Sequence, residues 1–113
     1  MSVRLAYAIL FVADMERAVK FYRDTVGFPL RFQSPHWTEF STGATTLALH
    51  IASEQNPAGM MKMGVATGDL QAFYNDMKAK GVEFTMPPTK QDFGGELAEF
   101  KDADGARITA SGM

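Results

Sequence analysis

The 113 residues make one ordinary domain, and 46% apolar against 21% charged residues is the balance of a folded chain, not a disordered one. A net charge of −2, with acids and bases interspersed, leaves no electrostatic footprint for nucleic acid or for an anionic membrane surface. The lack of cysteine excludes disulfides, thiolate metal sites and a thiol nucleophile, and it accords with a reducing, cytoplasmic location.

In chain order, residues 5–12 are nearly all apolar or aromatic, which predicts a strand covered on both faces; the run is too short to span a bilayer. Asp14 offers a side-chain oxygen to the free N–H groups of a helix start. Met15, Ala18, Val19, Tyr22 and Val26 then form an apolar stripe at helical spacing, and Gly27 ends it. Three strand-like segments follow, at about 28–33, 36–40 and 45–51, separated by Ser34-Pro35 and Gly43.

The second part of the chain repeats this order. Residues 61–67 are strand-like, Asp69 is the cap, Leu70, Phe73, Tyr74 and Met77 make the stripe, and Gly81 stops it. The separation between the two caps exceeds that between the two stop glycines by a single residue. Cap, stripe and stop together indicate an internal duplication. Strands are predicted again at about 83–86, 96–101 and 106–111, broken by Pro87-Pro88, Gly94-Gly95 and the turn Asp102-Ala103-Asp104-Gly105.

The expectation is an α+β fold of two βαβββ modules, at about 1–52 and 60–113, with a mobile linker at 53–59 around Asn56-Pro57. A half of this size is marginal as a core of its own, so the modules are expected to pack on each other or on a second copy, as a homodimer.

The run Phe11-Val12-Ala13-Asp14-Met15-Glu16-Arg17-Ala18-Val19-Lys20-Phe21-Tyr22-Arg23-Asp24-Thr25-Val26-Gly27-Phe28 resembles the opening of the glyoxalase/bleomycin-resistance/extradiol-dioxygenase superfamily. Thr46-Leu47-Ala48-Leu49-His50 and Phe100-Lys101-Asp102-Ala103-Asp104-Gly105 match in order further along. The resemblance covers both halves and implies curved mixed sheets that form a small-molecule pocket. Its members include isomerases, ring-cleaving dioxygenases, thiol transferases and drug-sequestering proteins, so the family alone names no reaction.

The resemblance also implies up to four metal-donor positions, on the first and last strand of each half. Counting from the caps and from the Asp-Ala-Asp-Gly turn places them at Tyr7, His50, Met63 and Thr109. Only His50 is an ordinary donor for a borderline divalent ion. The metal site is therefore read as degenerate and no cofactor is expected.

Period-two alternation puts His50 on the sheet face away from the helix, either as a pocket histidine or as a strand histidine bonded to a neighbour. Tyr7 and Ile9 share that side; the tyrosine either orients a ligand or caps the core. Trp37, the lone tryptophan, offers a stacking wall or an interface contact. Arg107 and Glu99 lie on the last two strands, where the arginine meets a ligand anion or pairs with Glu99. The candidate ligand-binding set is Tyr7, Ile9, Trp37, His50, Met63, Glu99, Arg107 and Thr109, with His50 and Tyr7 as the acid/base candidates should a reaction occur. No G-x-G-x-x-G, Walker, G-x-S-x-G or H-E-x-x-H motif is present. The expected function is capture of a small organic ligand. An enzyme of the same fold, metal-free or with an unconventional metal set, and a dimeric module with a vestigial pocket are the alternatives.

Overall fold

A computed structural model of the chain describes residues 3–112. They form two compact units: the first half is residues 7–62, and the second half is residues 3–6 with 63–112. The division therefore falls just beyond the segment 53–59 that was expected to separate the modules.

The first half contains most of β1 (Val3–Val12), α1 (Met15–Lys20), β2 (Leu30–Gln33), β3 (Trp37–Phe40) and β4 (Thr46–Ile51). The strands lie in the order β2-β3-β4-β1, with β1 and β4 parallel and the other two neighbouring pairs antiparallel. Asp14 caps α1 by accepting the Arg17 N–H at 3.1 Å. The stripe then docks on the sheet: Met15 and Val19 are buried with Val12, Phe40 and Leu49, and Tyr22, Phe28, Leu10 and Leu47 pack around them. Thr38, fully buried there, is bonded through its hydroxyl to the Met15 sulfur at 3.3 Å.

Beyond α1 the chain continues as a π-helical turn, Phe21–Val26, before Gly27 adopts a left-handed conformation at φ 93°. This accounts for the extra residue between cap and stop in the first half. Five positions separate Tyr22 from Gly27, whereas four separate Met77 from Gly81. The wider turn absorbs the insertion while keeping Tyr22 on the core stripe.

The second half holds β5 (Met61–Thr67, from Met63 on), α2 (Leu70–Ala79), β6 (Phe84–Lys90), β7 (Glu96–Lys101) and β8 (Arg107–Gly112). Their order is β5-β8-β7-β6, again with one parallel pair, β5 and β8, and antiparallel pairs otherwise. Asp69 caps α2 through the Ala72 N–H at 3.0 Å. Leu70 and Phe73 pack on Ala98 and Ala110, with Phe84 and Phe100 alongside. The α+β duplication of βαβββ units is thus present, half by half.

Two expectations need correction. Pro87-Pro88 does not end its strand, because β6 lies at the end of its sheet order and its register on β7 shifts between Met86 and Thr89, where missing N–H donors are tolerated. The segment 53–59 is not a loose linker. Gly59 N–H bonds Phe11 O at 2.9 Å, Phe11 N–H bonds Met60 O at 2.9 Å, and Ser53 N–H bonds Asn56 O at 2.9 Å.

Candidate functional site

In the first half, helix docking takes one face of the sheet, and alternation sends Tyr7, Ile9 and Phe11 to the other. They gather there with Ala48, Trp37, Ala52 and Met60, in a cluster separate from the one beneath α1. The strand register assembles the face: Tyr7 pairs with Thr46, Ile9 with Ala48, Phe11 with His50, and across β4 Trp37 pairs with His50 and Glu39 with Ala48. Tyr7 meets Trp37 edge to face at 5.7 Å, Trp37 meets His50 in the same way at 6.0 Å, and His50 lies tilted on Phe11 at 5.2 Å. Such pairs add specific geometry to apolar burial.

A polar group beside the aromatics fixes them. Glu39 Oε2 accepts the Trp37 indole N–H at 2.8 Å. Its Oε1 accepts from Arg31 Nε at 3.1 Å and Nη2 at 2.8 Å, and the same Nη2 donates to Thr46 Oγ1 at 2.7 Å. His50 is bonded through Nδ1 to the Ile51 carbonyl at 2.8 Å, which orients the ring. The structure therefore brings together Tyr7, Ile9, Trp37 and His50 from the expected set. Of two concavities in this half, one of about 400 Å³ is lined by Phe11 together with Arg17, Phe21 and Gly59, and one of about 530 Å³ by Glu16, Gln33 and Pro35; neither is lined by Tyr7, Trp37 or His50.

In the second half, Ala98 and Ala110 face α2, so Glu99, Thr109 and Arg107 take the opposite side. Glu99 pairs with Thr109 in register; its Oε1 accepts the Thr85 hydroxyl at 2.7 Å and lies 3.8 Å from Arg107 Nη1. Met63 is a correction. It alternates with Val65, which packs against the α2 cluster, whereas Gly64 is the residue level with Thr109. Met63 is six residues before its cap and Tyr7 seven before its own, so the two are not equivalent. Lys62 is the counterpart of Tyr7.

Sequence reasoning missed Arg31 and Thr85. The irregular pairing between Leu30 and Phe32 removes the alternation that would have placed Arg31. Glu39, two residues beyond Trp37 on a strand, carried the signal in its spacing alone.

The donors do not fit the metal that the family resemblance implies. The register makes Ala48 the counterpart of Thr109 and Ser111 the counterpart of His50. Whichever alignment is taken, Tyr7, Lys62, Ala48, His50, Thr109 and Ser111 supply one imidazole and no carboxylate. Among the described residues no group of three or more histidine, cysteine or acidic side chains could hold a metal ion.

Two similar halves, each with a helix over one face of a four-strand mixed sheet, define the fold class of this chain. The chain belongs to the Glyoxalase/Bleomycin resistance protein/Dioxygenase superfamily, whose model matches residues 4–109. It is 33% identical to the uncharacterized protein YurT of Bacillus subtilis, over 94% of this chain and 96% of that one. Among solved structures it resembles a hypothetical protein from Bacillus halodurans, with TM-score 0.80 and 14% identity over 100% of this chain and 96% of that one. It also resembles a methylmalonyl-CoA epimerase from Streptomyces coelicolor, with TM-score 0.78 and 19% identity over 96% of each chain. These structural likenesses define the fold.

Proposed function

We propose that the protein captures a small organic ligand with a flat body, using the aromatic face of its first half and no divalent metal. The observation that supports this reading is Trp37, which is held on three sides: edge to face by Tyr7 and by His50, and through its indole N–H by Glu39. A core filler needs no such orientation, whereas a stacking surface loses less entropy on binding when it is already fixed. In the second half, Thr109, Arg107 and Glu99 are proposed as polar ligand contacts. The chain is further proposed to act as a homodimer. That the fold also carries an epimerase of an acyl-CoA acid is consistent with organic-acid ligands.

The test is mass spectrometry of small molecules that co-purify with the protein, followed by titration of each against Trp37 fluorescence. A compound recovered in stoichiometric amount that quenches Trp37 supports the reading. Recovery of none, with no fluorescence response to a broad panel, overturns it.

The bond from His50 Nδ1 to the Ile51 carbonyl favours a second reading, a metal-free enzyme, because it leaves Nε2 as the nitrogen for proton transfer. His50→Ala separates the two: turnover is lost and binding kept if the histidine is an acid or base.

A further inference from the structure

We infer that Arg31 is an anion anchor beside the aromatic face, and that the ligand class is a flat aromatic body carrying a carboxylate. This deepens the proposed function and rests on it.

A guanidinium usually meets a carboxylate as a fork, two parallel N–H groups on two oxygens. Arg31 and Glu39 do not pair that way. Arg31 places both Nε and Nη2 on the single oxygen Oε1, because Oε2 is taken by the Trp37 indole. The remaining Nη2 proton goes to Thr46 Oγ1. The guanidinium is thus pinned at its Nε and Nη2 edge, and the described residues show no acceptor on Nη1. The Arg31 side chain is 45% exposed, against 21% for Glu39. The acid is thus mostly covered while nearly half of the arginine side chain is exposed.

Pinning matters because an arginine loses much rotamer freedom when it binds an anion from a mobile state. Here three hydrogen bonds that it donates to acceptors on β3 and β4 have already fixed it. Glu39 links the guanidinium to the indole, so the cation and the stacking surface keep a set spacing, matched to a ligand with both an acid and a ring. Alternation also points to Arg107 as an arginine for an acidic group; Arg107 Nη1 lies 3.8 Å from Glu99 Oε1 in the second half, whereas Arg31 is bonded to the acid that holds Trp37.

The experiment compares aromatic acids with their primary amides: benzoate with benzamide, 2-naphthoate with 2-naphthamide, and indole-3-acetate with indole-3-acetamide. Binding is read by quenching of Trp37, the single tryptophan, and by shifts of its indole proton resonance. Wild type is expected to bind at least one acid tenfold or more tightly than its amide. Arg31→Gln should erase that preference while leaving amide binding within twofold, and Arg23→Gln, at the exposed pair with Asp24, should keep the preference. Arg31→Lys, which retains charge without the fork, should recover only part of it. If amides bind as well as acids, or if Arg31→Gln leaves the preference intact, the anchor is wrong while the aromatic site stands. If no member of the panel binds wild type, the anchor and the aromatic site fall together.

Discussion

Glu39 and Trp37 sit two residues apart on β3, and the carboxylate Oε2 accepts the indole N–H at 2.8 Å on the side facing away from α1. One acid therefore serves an indole and a guanidinium at once. Removing it leaves three N–H donors to find water, on a face where the acid is mostly covered. Glu39→Ala is expected to cost about 1–2 kcal/mol of stability, within the range for a lost charged hydrogen bond. Urea unfolding should show the loss, and the indole proton resonance should move upfield as its acceptor goes. An unchanged midpoint with an unmoved indole resonance would contradict this bonding.

The two caps are chemically alike, Asp14 on the Arg17 N–H at 3.1 Å and Asp69 on the Ala72 N–H at 3.0 Å. Asp14→Ala and Asp69→Ala should each destabilise by about 1 kcal/mol, the usual worth of such a cap, and Asp→Asn or Asp→Ser should recover most of it. Thermal unfolding of the four variants checks this. Full recovery by alanine plus a remote charge would show that the carboxylate acts through the helix dipole and not as an acceptor.

The elements were legible because their local signals agree with their packing. Asp14, the stripe through Tyr22, and Gly27 define the first helix, and their repeat at Asp69, Met77 and Gly81 defines the second. The side of the sheet taken by Tyr7, Ile9 and His50 followed from alternation along unbroken strands. Three things were not legible, each for a physical reason. The π turn is a local widening that costs one residue and leaves the apolar stripe intact until its end. Arg31 lies at a register shift, where period two fails. Pro87-Pro88 reads as a breaker unless the strand is known to be an edge, and edge position is a property of the whole sheet order. Met63 was misplaced by a count one residue short, and a one-residue slip turns a strand side chain to the opposite face.

Phe40 and Leu49 are both fully buried in the first-half core, packed with Val19 beneath α1. Phe40→Ala should cost about 3–5 kcal/mol, the removed ring leaving a cavity that β3 and α1 cannot close. Phe40→Leu keeps much of the volume and should cost less than half as much. Denaturant titration of the pair decides it, and equal losses would indicate that shape at this point does not matter.

Asp24 gives a signed pH expectation. The side-chain hydrogen bond from Arg23 holds its carboxyl below the ordinary 3.8, with the charges of Arg23 and Lys20 adding to the same direction. A carboxyl lowered in the folded state contributes stability that is present above its unfolded value and is lost as pH falls through the folded one. Both side chains are about half exposed, so the contribution to stability is small. A carboxyl-carbon NMR titration should place Asp24 below 3.8 in wild type and return it toward that value in Arg23→Gln. A wild-type midpoint at or above 3.8 would show that the bond does not persist in solution.

The last expectation concerns metal, and the strand register sharpens it. Catalytic sites for divalent ions in proteins take three or more side-chain donors, drawn from histidine, carboxylate and thiolate. The chain has no cysteine and two histidines, and only His50 lies on a strand face that the family resemblance marks. The acids on the helix-free face of each half are committed: both Glu39 oxygens accept hydrogen bonds, and Glu99 Oε1 serves Thr85 and Arg107. Recruiting either to a metal would release an arginine from its partner and place a cation beside it. Protein purified without chelator should therefore carry well below stoichiometric zinc, nickel, iron or manganese by elemental analysis. Added Zn²⁺ or Ni²⁺ at tenfold excess should raise Tm no more in wild type than in His50→Ala. A stoichiometric ion that disappears with His50→Ala would overturn the degenerate-site reading, and with it the metal-free ligand capture proposed for this chain.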